Sequence, residues 1–265
     1  MASFNLTGIT IYPLKSMRGI ALKTAEAGIR GFQHDRRFLL VDDDGRYMTQ
    51  RIYPQMATFD VNLSESGFSV SRNGTSIDVP FDLLPSGSKM IDILDDRLMA
   101  RLAPPYFGKW FSSQLGMDCH LVFMDASVQR AVPEKYRINN EEVSFADAFP
   151  YLIIGEMSLH ALNSRLKLPL PMNRFRPNLV FSGGEPFSED NFDHFRIGDA
   201  LFKAVKPCIR CVVTTTDQLT GHREKEPLST LATFRNIDNK ILFGQNLICL
   251  QPGRVRVGDP LIPVS

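Results

Sequence analysis

Short runs of alternating hydrophobic and polar residues follow one another along the first half of the chain. They occupy residues 6–12, 38–42, 58–63 and 68–71. Period-two alternation places apolar side chains on one face of a strand, so each run predicts a half-buried β-strand. Asp44-Gly45 and Asn73-Gly74 are dipeptides that favour tight hairpin turns. The pattern therefore predicts that the first half is mostly β.

A helical pattern follows between about residues 95 and 116. Phe107, Phe111 and Leu115 recur every four residues, which places them on one face of an α-helix. Pro105 suits a first helical turn, and the closing glycine suits a C-terminal cap. We expect this helix to close a first domain.

The second half predicts further strands and one short helix. An apolar strand is expected at residues 119–124, and Leu159, Leu162 and Leu166 mark a short amphipathic helix. The strands expected after it are residues 178–182, 200–205, 212–216, 247–250 and 255–257. We therefore expect a mainly β fold with a few helices, in which the second half forms a β-barrel.

The length of 265 residues exceeds that of a typical single domain. The polar, irregular stretch 126–142 is typical of a loop over a site or of a linker. We therefore expect two domains, residues 1–125 and residues 126–265.

Charge and composition exclude several classes of protein. Thirty lysines and arginines balance 29 aspartates and glutamates, for a net charge of +1. A chain with this charge balance lacks the broad positive field that binding to a nucleic-acid polymer usually needs. Anionic ligands must therefore bind to local clusters of basic residues. The N-terminus lacks a signal-peptide core, and the apolar runs are too short to span a bilayer. We expect a cytoplasmic protein that does not bind membranes.

The four cysteines do not make a disulfide scaffold in a chain of this length. Cys119 and Cys249 lie in apolar runs and are expected to be small buried hydrophobes. The pair Cys208-x-x-Cys211 leaves four interpretations open: structural zinc, a redox pair, a plain loop, or one soft metal ligand. A structural zinc site needs two further ligands. A redox pair gains from a helix that begins just after it, but the β-branched run that follows Cys211 predicts a strand. Neighbouring Lys206 and Arg210 favour a thiolate.

Basic and acidic residues supply further candidates. Arg174 and Arg176 are separated by one residue and come just before a predicted strand. In an extended backbone their guanidinium groups could share a face that suits a phosphate. Lys15-Ser16 and Arg36-Arg37 form a second basic group; solvated surface charge is the alternative for each. Asp147 lies between aromatic residues, where a carboxylate could cap a turn or deliver a proton.

Several motifs in one order change this picture. They are Tyr12-Pro-Leu-Lys-Ser16, Asp35-Arg36, Arg174-Phe-Arg-Pro-Asn178 and Pro207-Cys-Ile-Arg-Cys211-Val-Val-Thr-Thr-Thr-Asp217. The series resembles the MOSC proteins and, more narrowly, the branch with the mitochondrial amidoxime-reducing component and its bacterial relatives. The resemblance covers nearly the whole chain. It implies an N-terminal MOSC-associated domain that resembles a β-barrel, followed by a MOSC β-barrel domain.

The resemblance also implies a cofactor and its site. In that family the second cysteine of the motif, here Cys211, binds molybdenum, and a pyranopterin dithiolene supplies two more sulfurs, whereas Cys208 is not a ligand. The residues implied around the phosphate and pterin are Lys15, Ser16, Arg36, Arg174, Arg176, Asn178 and Thr215. Asp147 matches an acidic position near the metal and is implied in catalysis.

The activity implied is reduction of N-hydroxylated compounds: amidoximes, hydroxylamines and N-hydroxylated bases. The chain carries one C-x-x-C and ends at Ser265 without an iron–sulfur motif. We therefore expect a separate electron donor of the ferredoxin, flavoprotein or cytochrome b5 type. Two alternatives stay open: a sulfur-carrier or cofactor-delivery protein with a persulfide on Cys211, and a non-catalytic module for a phosphorylated ligand.

Overall fold

A computed structural model describes residues 3–264 and shows a predominantly β fold. The strands are β1 (Phe4–Ile11), β2 (Ile20–Leu22), β3 (Thr24–Gly28), β4 (Gly31–Phe32), β5 (Phe38–Val41), β6 (Asp60–Leu63), β7 (Gly67–Arg72), β8 (Thr75–Pro80), β9 (Gly87–Ile93), β10 (Asp96–Leu102), β11 (His120–Phe123), β12 (Tyr151–Gly155), β13 (Leu179–Ser182), β14 (His194–Ile197), β15 (Ala200–Ile209), β16 (Asn236–Ile237), β17 (Lys240–Gln251), β18 (Gly253–Arg256) and β19 (Pro260–Pro263). The α-helices are α1 (Pro105–Leu115), α2 (Glu156–Asn163) and α3 (Leu228–Phe234). Short 3-10 helices cover Pro54–Thr58, Glu134–Tyr136, Met172–Phe175, Ser188–Asn191 and Val212–Thr215.

Seven strands close into a barrel in the order β12-β13-β1-β19-β14-β15-β17, with β17 pairing back to β12. The pairs are antiparallel except β12 with β13. Alternate side chains fill the interior, among them Leu6, Ile153, Leu179, Phe202 and Leu247. The predicted fold class, mainly β with a few helices and a barrel, is confirmed. The barrel takes its strand β1 from the first residues of the chain.

A second core lies in the N-terminal half. The four-stranded sheet β5-β11-β10-β9 and the three-stranded sheet β6-β7-β8 form there, with α1 packed on β11. Phe107 and Phe111, the predicted helical face, are fully buried in this core with Phe38 and Phe59. Gly116 adopts the left-handed conformation at the end of α1. Its backbone N–H donates to the carbonyl of Ser112 and so caps the helix.

Two predicted elements are wrong. The helical pattern was expected from about residue 95, but residues 96–102 form β10. Their partner β9 pairs with them along the whole length, and this pairing outweighs the helix propensity of leucine, methionine and arginine. The predicted strand at 212–216 is instead the 3-10 helix Val212–Thr215. Hydroxyl groups cause this turn, since Thr214 donates to the Cys211 carbonyl at 3.0 Å and Thr215 to that of Val212 at 2.8 Å.

Buried amides join the N-terminal core to the barrel. Gln50 and Gln218 exchange two hydrogen bonds of 3.1 Å, and Gln50 also donates to the Ser16 carbonyl at 2.8 Å. Arg18 donates to the Gln218 carbonyl and pairs with Asp60. Satisfied polar groups in a buried interface specify one arrangement, so these contacts fix the two cores around the end of the barrel. No helix within residues 3–264 has both the length and the apolar character to cross a membrane.

Candidate active site

A pocket of about 200 Å³ opens at the end of the barrel where β12 and β13 begin and β15 ends. Seven predicted site residues line it: Lys15, Ser16, Arg36, Asp147, Arg176, Asn178 and Cys211. Thr49, Arg51, Cys208, Arg210 and Asn246 are among the other lining residues. Segments from both halves of the chain therefore build one cavity, and ligand sites often lie at such junctions.

Arg174 and Thr215 are not among the residues that line this pocket. Both are buried beside it. The Arg174 guanidinium donates to the Thr215 carbonyl at 3.0 Å and to Oδ2 of Asp217 at 2.9 Å. Arg174 therefore braces the turn that follows Cys211, because two nitrogens of its planar guanidinium bind two acceptors of that turn. The implied contact of Arg174 and Thr215 with a cofactor stays a prediction.

The ring of Tyr12 separates two arginines of the pocket. The guanidinium carbons of Arg36 and Arg176 lie 4.4 Å and 4.2 Å from the ring centroid. Fully buried Asp35 pairs with Arg36 at 2.6 Å, and Arg36 also donates to Oδ1 of Asn178 at 3.1 Å. Stacking on Tyr12 holds both guanidinium groups in place against the repulsion between them, and the ion pair with Asp35 adds to this for Arg36.

Arg176 lacks a carboxylate partner of its own within residues 3–264. Burial lowers the pKa of Arg176 to about 10. Tyr12 raises this pKa, and the neighbouring Arg36 lowers it further. The group still carries its charge at neutral pH, so it offers a desolvated cation to an anionic ligand.

Three residues that line the pocket have left-handed backbones. The φ angles of Ser16, Arg36 and Arg176 are 68°, 51° and 55°. A side chain with a Cβ costs about 1 kcal/mol or more in this region, and such strain concentrates at ligand sites. All three strained positions carry side chains that are candidates for binding the cofactor.

Asp147 is held by two cations on one wall of the pocket. Lys15 Nζ lies 2.6 Å from Oδ1, and Arg51 pairs with Oδ2. Burial would raise the pKa of the Asp147 carboxyl, but Lys15 and Arg51 hold it well below its usual value. Burial lowers the pKa of Lys15 to about 8, although Asp147 opposes the shift. The carboxylate is thus ionised and remains half exposed to the pocket.

The backbone around Asp147 is shaped by Arg130. This buried guanidinium donates to the carbonyls of Ser144, Ala146 and Asp147. Arg130 also pairs with Asp96 at 2.6 Å, which ties this loop to β10. Asp147 therefore projects from a fixed turn.

The two cysteines of the C-x-x-C segment have different surroundings. Cys208 lies in β15, where its sulfur accepts a hydrogen bond of 3.0 Å from Arg210 and packs near the core around Phe175. Cys211 follows the strand, is half-buried, and lines the pocket together with Arg51. Within residues 3–264, no three His, Cys, Asp or Glu side chains cluster as metal ligands. A zinc site with four protein ligands therefore has no ligand set in this part of the chain.

The other two cysteines lie in the cores. Burial raises the pKa of the Cys119 thiol to about 11 and that of Cys249 to about 12. Both residues are buried, as the apolar runs predict. Thiols with such pKa values are not nucleophiles at neutral pH.

Sequence reasoning missed Arg51 and the stacking role of Tyr12. Arg51 follows Met48-Thr-Gln50, a stretch without a charge pattern or spacing that marks it. Its contact with Asp147 spans 96 residues. A local sequence pattern does not encode such a contact.

Comparisons with known proteins agree with the two-core architecture. The sequence model for the MOSC N-terminal beta barrel domain matches residues 3–118, and that for the MOSC domain matches residues 140–262. A mitochondrial amidoxime-reducing component 1 from Xenopus laevis is 32% identical over 97% of this chain and 81% of its own length. A mitochondrial amidoxime reducing component 2 from Rattus norvegicus is 34% identical over 96% and 81%.

A longer relative matches at a similar level. The molybdenum cofactor sulfurase of Oryza sativa is 32% identical over 92% of this chain, which spans 32% of that protein. The matches with the two amidoxime-reducing components cover nearly all of this chain, including both domains. The chain therefore belongs to the family of MOSC-domain proteins that includes the mitochondrial amidoxime-reducing components.

Proposed function

We propose that this protein is a molybdenum-cofactor-dependent reductase of N-hydroxylated compounds, supplied with electrons by a separate protein. One observation carries the proposal. A single pocket combines the Cys211 thiol, an ionised carboxylate and a set of fixed cations. Two relatives that match over most of the chain are named for amidoxime reduction.

The side chains of the pocket fit the proposed cofactor. Its basic lining residues are Lys15, Arg36, Arg51, Arg176 and Arg210, against the single carboxylate of Asp147. A phosphate and a dithiolene are anionic, so they would offset this excess of positive charge. Arg36, Arg176 and Asn178 would hold the phosphate end, and Cys211 would supply a soft thiolate to the metal. Ser16 and Thr49 add neutral hydrogen-bond donors.

When bound, the cofactor supplies two electrons for cleavage of an N–O bond. An N-hydroxylated compound then needs two protons to leave as the N–H product and water. The Asp147 carboxylate can accept hydrogen bonds from the N–OH and neighbouring N–H groups of an amidoxime. Lys15 holds a proton 2.6 Å from Asp147, and its pKa of about 8 suits proton transfer near neutral pH.

The experiment is turnover by molybdenum-loaded protein. We expect benzamidoxime and 6-hydroxylaminopurine to be reduced with a chemical donor, and metal and pterin analysis to find one molybdenum per chain. Full molybdenum occupancy without turnover of any N-hydroxylated compound, under a donor shown to reduce the metal, would contradict the proposal. Reconstitution with ferredoxin, flavoprotein or cytochrome b5 donors then identifies the partner class.

The second candidate is a sulfur-handling protein with a persulfide on Cys211. The match to a molybdenum cofactor sulfurase favours it, and the half-buried thiol beside Arg51 could hold an anionic persulfide. Mass analysis of the purified chain separates the candidates. A gain of one sulfur atom on Cys211, without molybdenum or pterin, would favour sulfur transfer.

A further inference from the structure

Arg51 lines the pocket together with its two chemically distinctive side chains, the Asp147 carboxylate and the Cys211 thiol. Its guanidinium pairs with Oδ2 of Asp147. Its NH1 lies 3.4 Å from the Tyr47 hydroxyl. The Arg51 side chain is about 29% exposed, so most of it is enclosed by the protein where it makes these contacts. Arg51 thus holds a carboxylate from one loop in the same pocket that receives a thiol from another.

The backbone that carries Arg51 is held on both sides. Arg51 N–H donates to Oγ1 of Thr49 at 2.8 Å, and buried Gln50 is anchored to the Ser16 carbonyl at 2.8 Å. The guanidinium of Arg223 binds the Gln50 carbonyl. A side chain on a fixed backbone loses less entropy when it engages partners, so Arg51 is preorganised.

We propose that Arg51 is a positioning residue that holds the Asp147 carboxylate in a fixed orientation toward Cys211. The inference rests on the proposed function, because it takes Cys211 as the metal ligand and Asp147 as the group that meets substrate. Lys15 binds the other carboxylate oxygen, so removal of Arg51 leaves Asp147 attached at one oxygen and free to rotate. The orientation, rather than the charge alone, is what Arg51 supplies.

Two substitutions separate charge from geometry. Arg51→Gln removes the cation, whereas Arg51→Lys keeps a charge but lacks the planar fork that orients the Asp147 carboxylate. Arg46→Lys is the matched control in the same segment, because Arg46 forms only an exposed pair with Asp44. We expect kcat to fall roughly 100-fold in Arg51→Gln, as for loss of a positioning group, with KM changed less and molybdenum content within twofold of the wild type. Arg51→Lys should recover only part of kcat.

A second measurement is independent of the cofactor and of the proposed activity. Cofactor-free protein is alkylated at one pH with anionic iodoacetate and with neutral iodoacetamide, and each cysteine is quantified by peptide mass spectrometry. The ratio of the two rates cancels the thiolate fraction and reports the local potential. We expect Arg51→Gln to lower this ratio at Cys211 by about tenfold, as for loss of one cation in the same pocket. The ratio at Cys208, which faces Arg210, should change less than twofold.

Three results would overturn the inference. The first is a kcat and an alkylation ratio in Arg51→Gln that both stay within twofold of the wild type. The second is loss of activity in proportion to lost molybdenum, which would make Arg51 a cofactor-retention residue. The third is complete recovery of kcat by Arg51→Lys. Inactive, fully loaded wild-type protein would instead contradict the proposed function, and the alkylation ratio would still test whether the Arg51 cation acts on Cys211.

Discussion

The ammonium group of Lys15 lies 2.6 Å from Oδ1 of Asp147, across 132 residues of sequence. The lysine side chain is 8% exposed and the aspartate side chain 49% exposed. The cation is therefore desolvated, whereas its partner still faces the pocket. This pair ties the loop after β1 to the loop before β12. The carboxylate therefore joins two loops and is still accessible from the pocket.

Asp147→Asn should lower the free energy of unfolding at pH 7 by roughly 1–2 kcal/mol, between the values for exposed and buried ion pairs. The folded pKa of Asp147 is depressed, so its stabilisation is complete above the unfolded value near 4 and is lost as pH falls through the folded value. The difference between wild type and variant should therefore shrink below about pH 4. Urea denaturation at several pH values measures it.

The matched control is Asp44→Asn, because Asp44 forms an exposed pair with Arg46. We expect that variant to change stability by less than about 0.5 kcal/mol. An Asp147→Asn effect as small as this, at every pH, would show that the Lys15 pair contributes nothing to folding.

Substitution of Tyr12 should weaken anion binding according to whether the ring is kept. Tyr12→Leu removes two cation–π contacts of about 1 kcal/mol each, which predicts a loss of roughly 10- to 30-fold in affinity for inorganic phosphate. Tyr12→Phe keeps the ring between the arginines and loses only the hydrogen bond to the Pro177 carbonyl. Calorimetry on cofactor-free protein measures both. Equal weakening by the two variants would rule out stacking as the cause.

The two cysteines should respond unequally to serine. If Cys211 binds molybdenum as proposed, Cys211→Ser should abolish activity, because a serine oxygen is a harder ligand than a thiolate and would alter the redox balance of the metal. Cys208→Ser should keep most of the molybdenum and a measurable rate, since this side chain contacts Arg210 and an apolar core. Metal content, melting temperature and N-hydroxy reduction are compared side by side. Equal inactivation with intact folds would favour a disulfide mechanism, in which both thiols are needed.

Arg174→Met should destabilise the fold rather than remove a direct cofactor contact. It leaves Asp217 without its cation and the Thr215 carbonyl without its buried donor, for a loss of roughly 2–4 kcal/mol. Arg97→Met is the control, because the Arg97 pair with Asp92 is exposed. Denaturant unfolding measures both. A stable Arg174→Met protein that has lost phosphate affinity would instead place Arg174 in the ligand site.

Turn dipeptides and helix-cap residues predicted local structure well, because each favours one backbone conformation. Asn73-Gly74 forms the turn between β7 and β8, with φ angles of 53° and 78°. Residues 96–102 were misassigned, because their side chains favour a helix and their hydrogen-bond partner lies in another strand. The domain boundary near residue 125 stays a prediction.

By itself, the sequence determined the mainly β fold, the barrel and a set of candidate site residues, because alternation, turn dipeptides and ordered motifs are local properties. Only the tertiary structure decided that β1 enters the barrel of the second half and that Arg174 braces a turn. The same holds for Arg51, which meets Asp147 across 96 residues. Such contacts depend on which distant backbones are brought within hydrogen-bond reach, and that follows from strand pairing and the closure of the barrel.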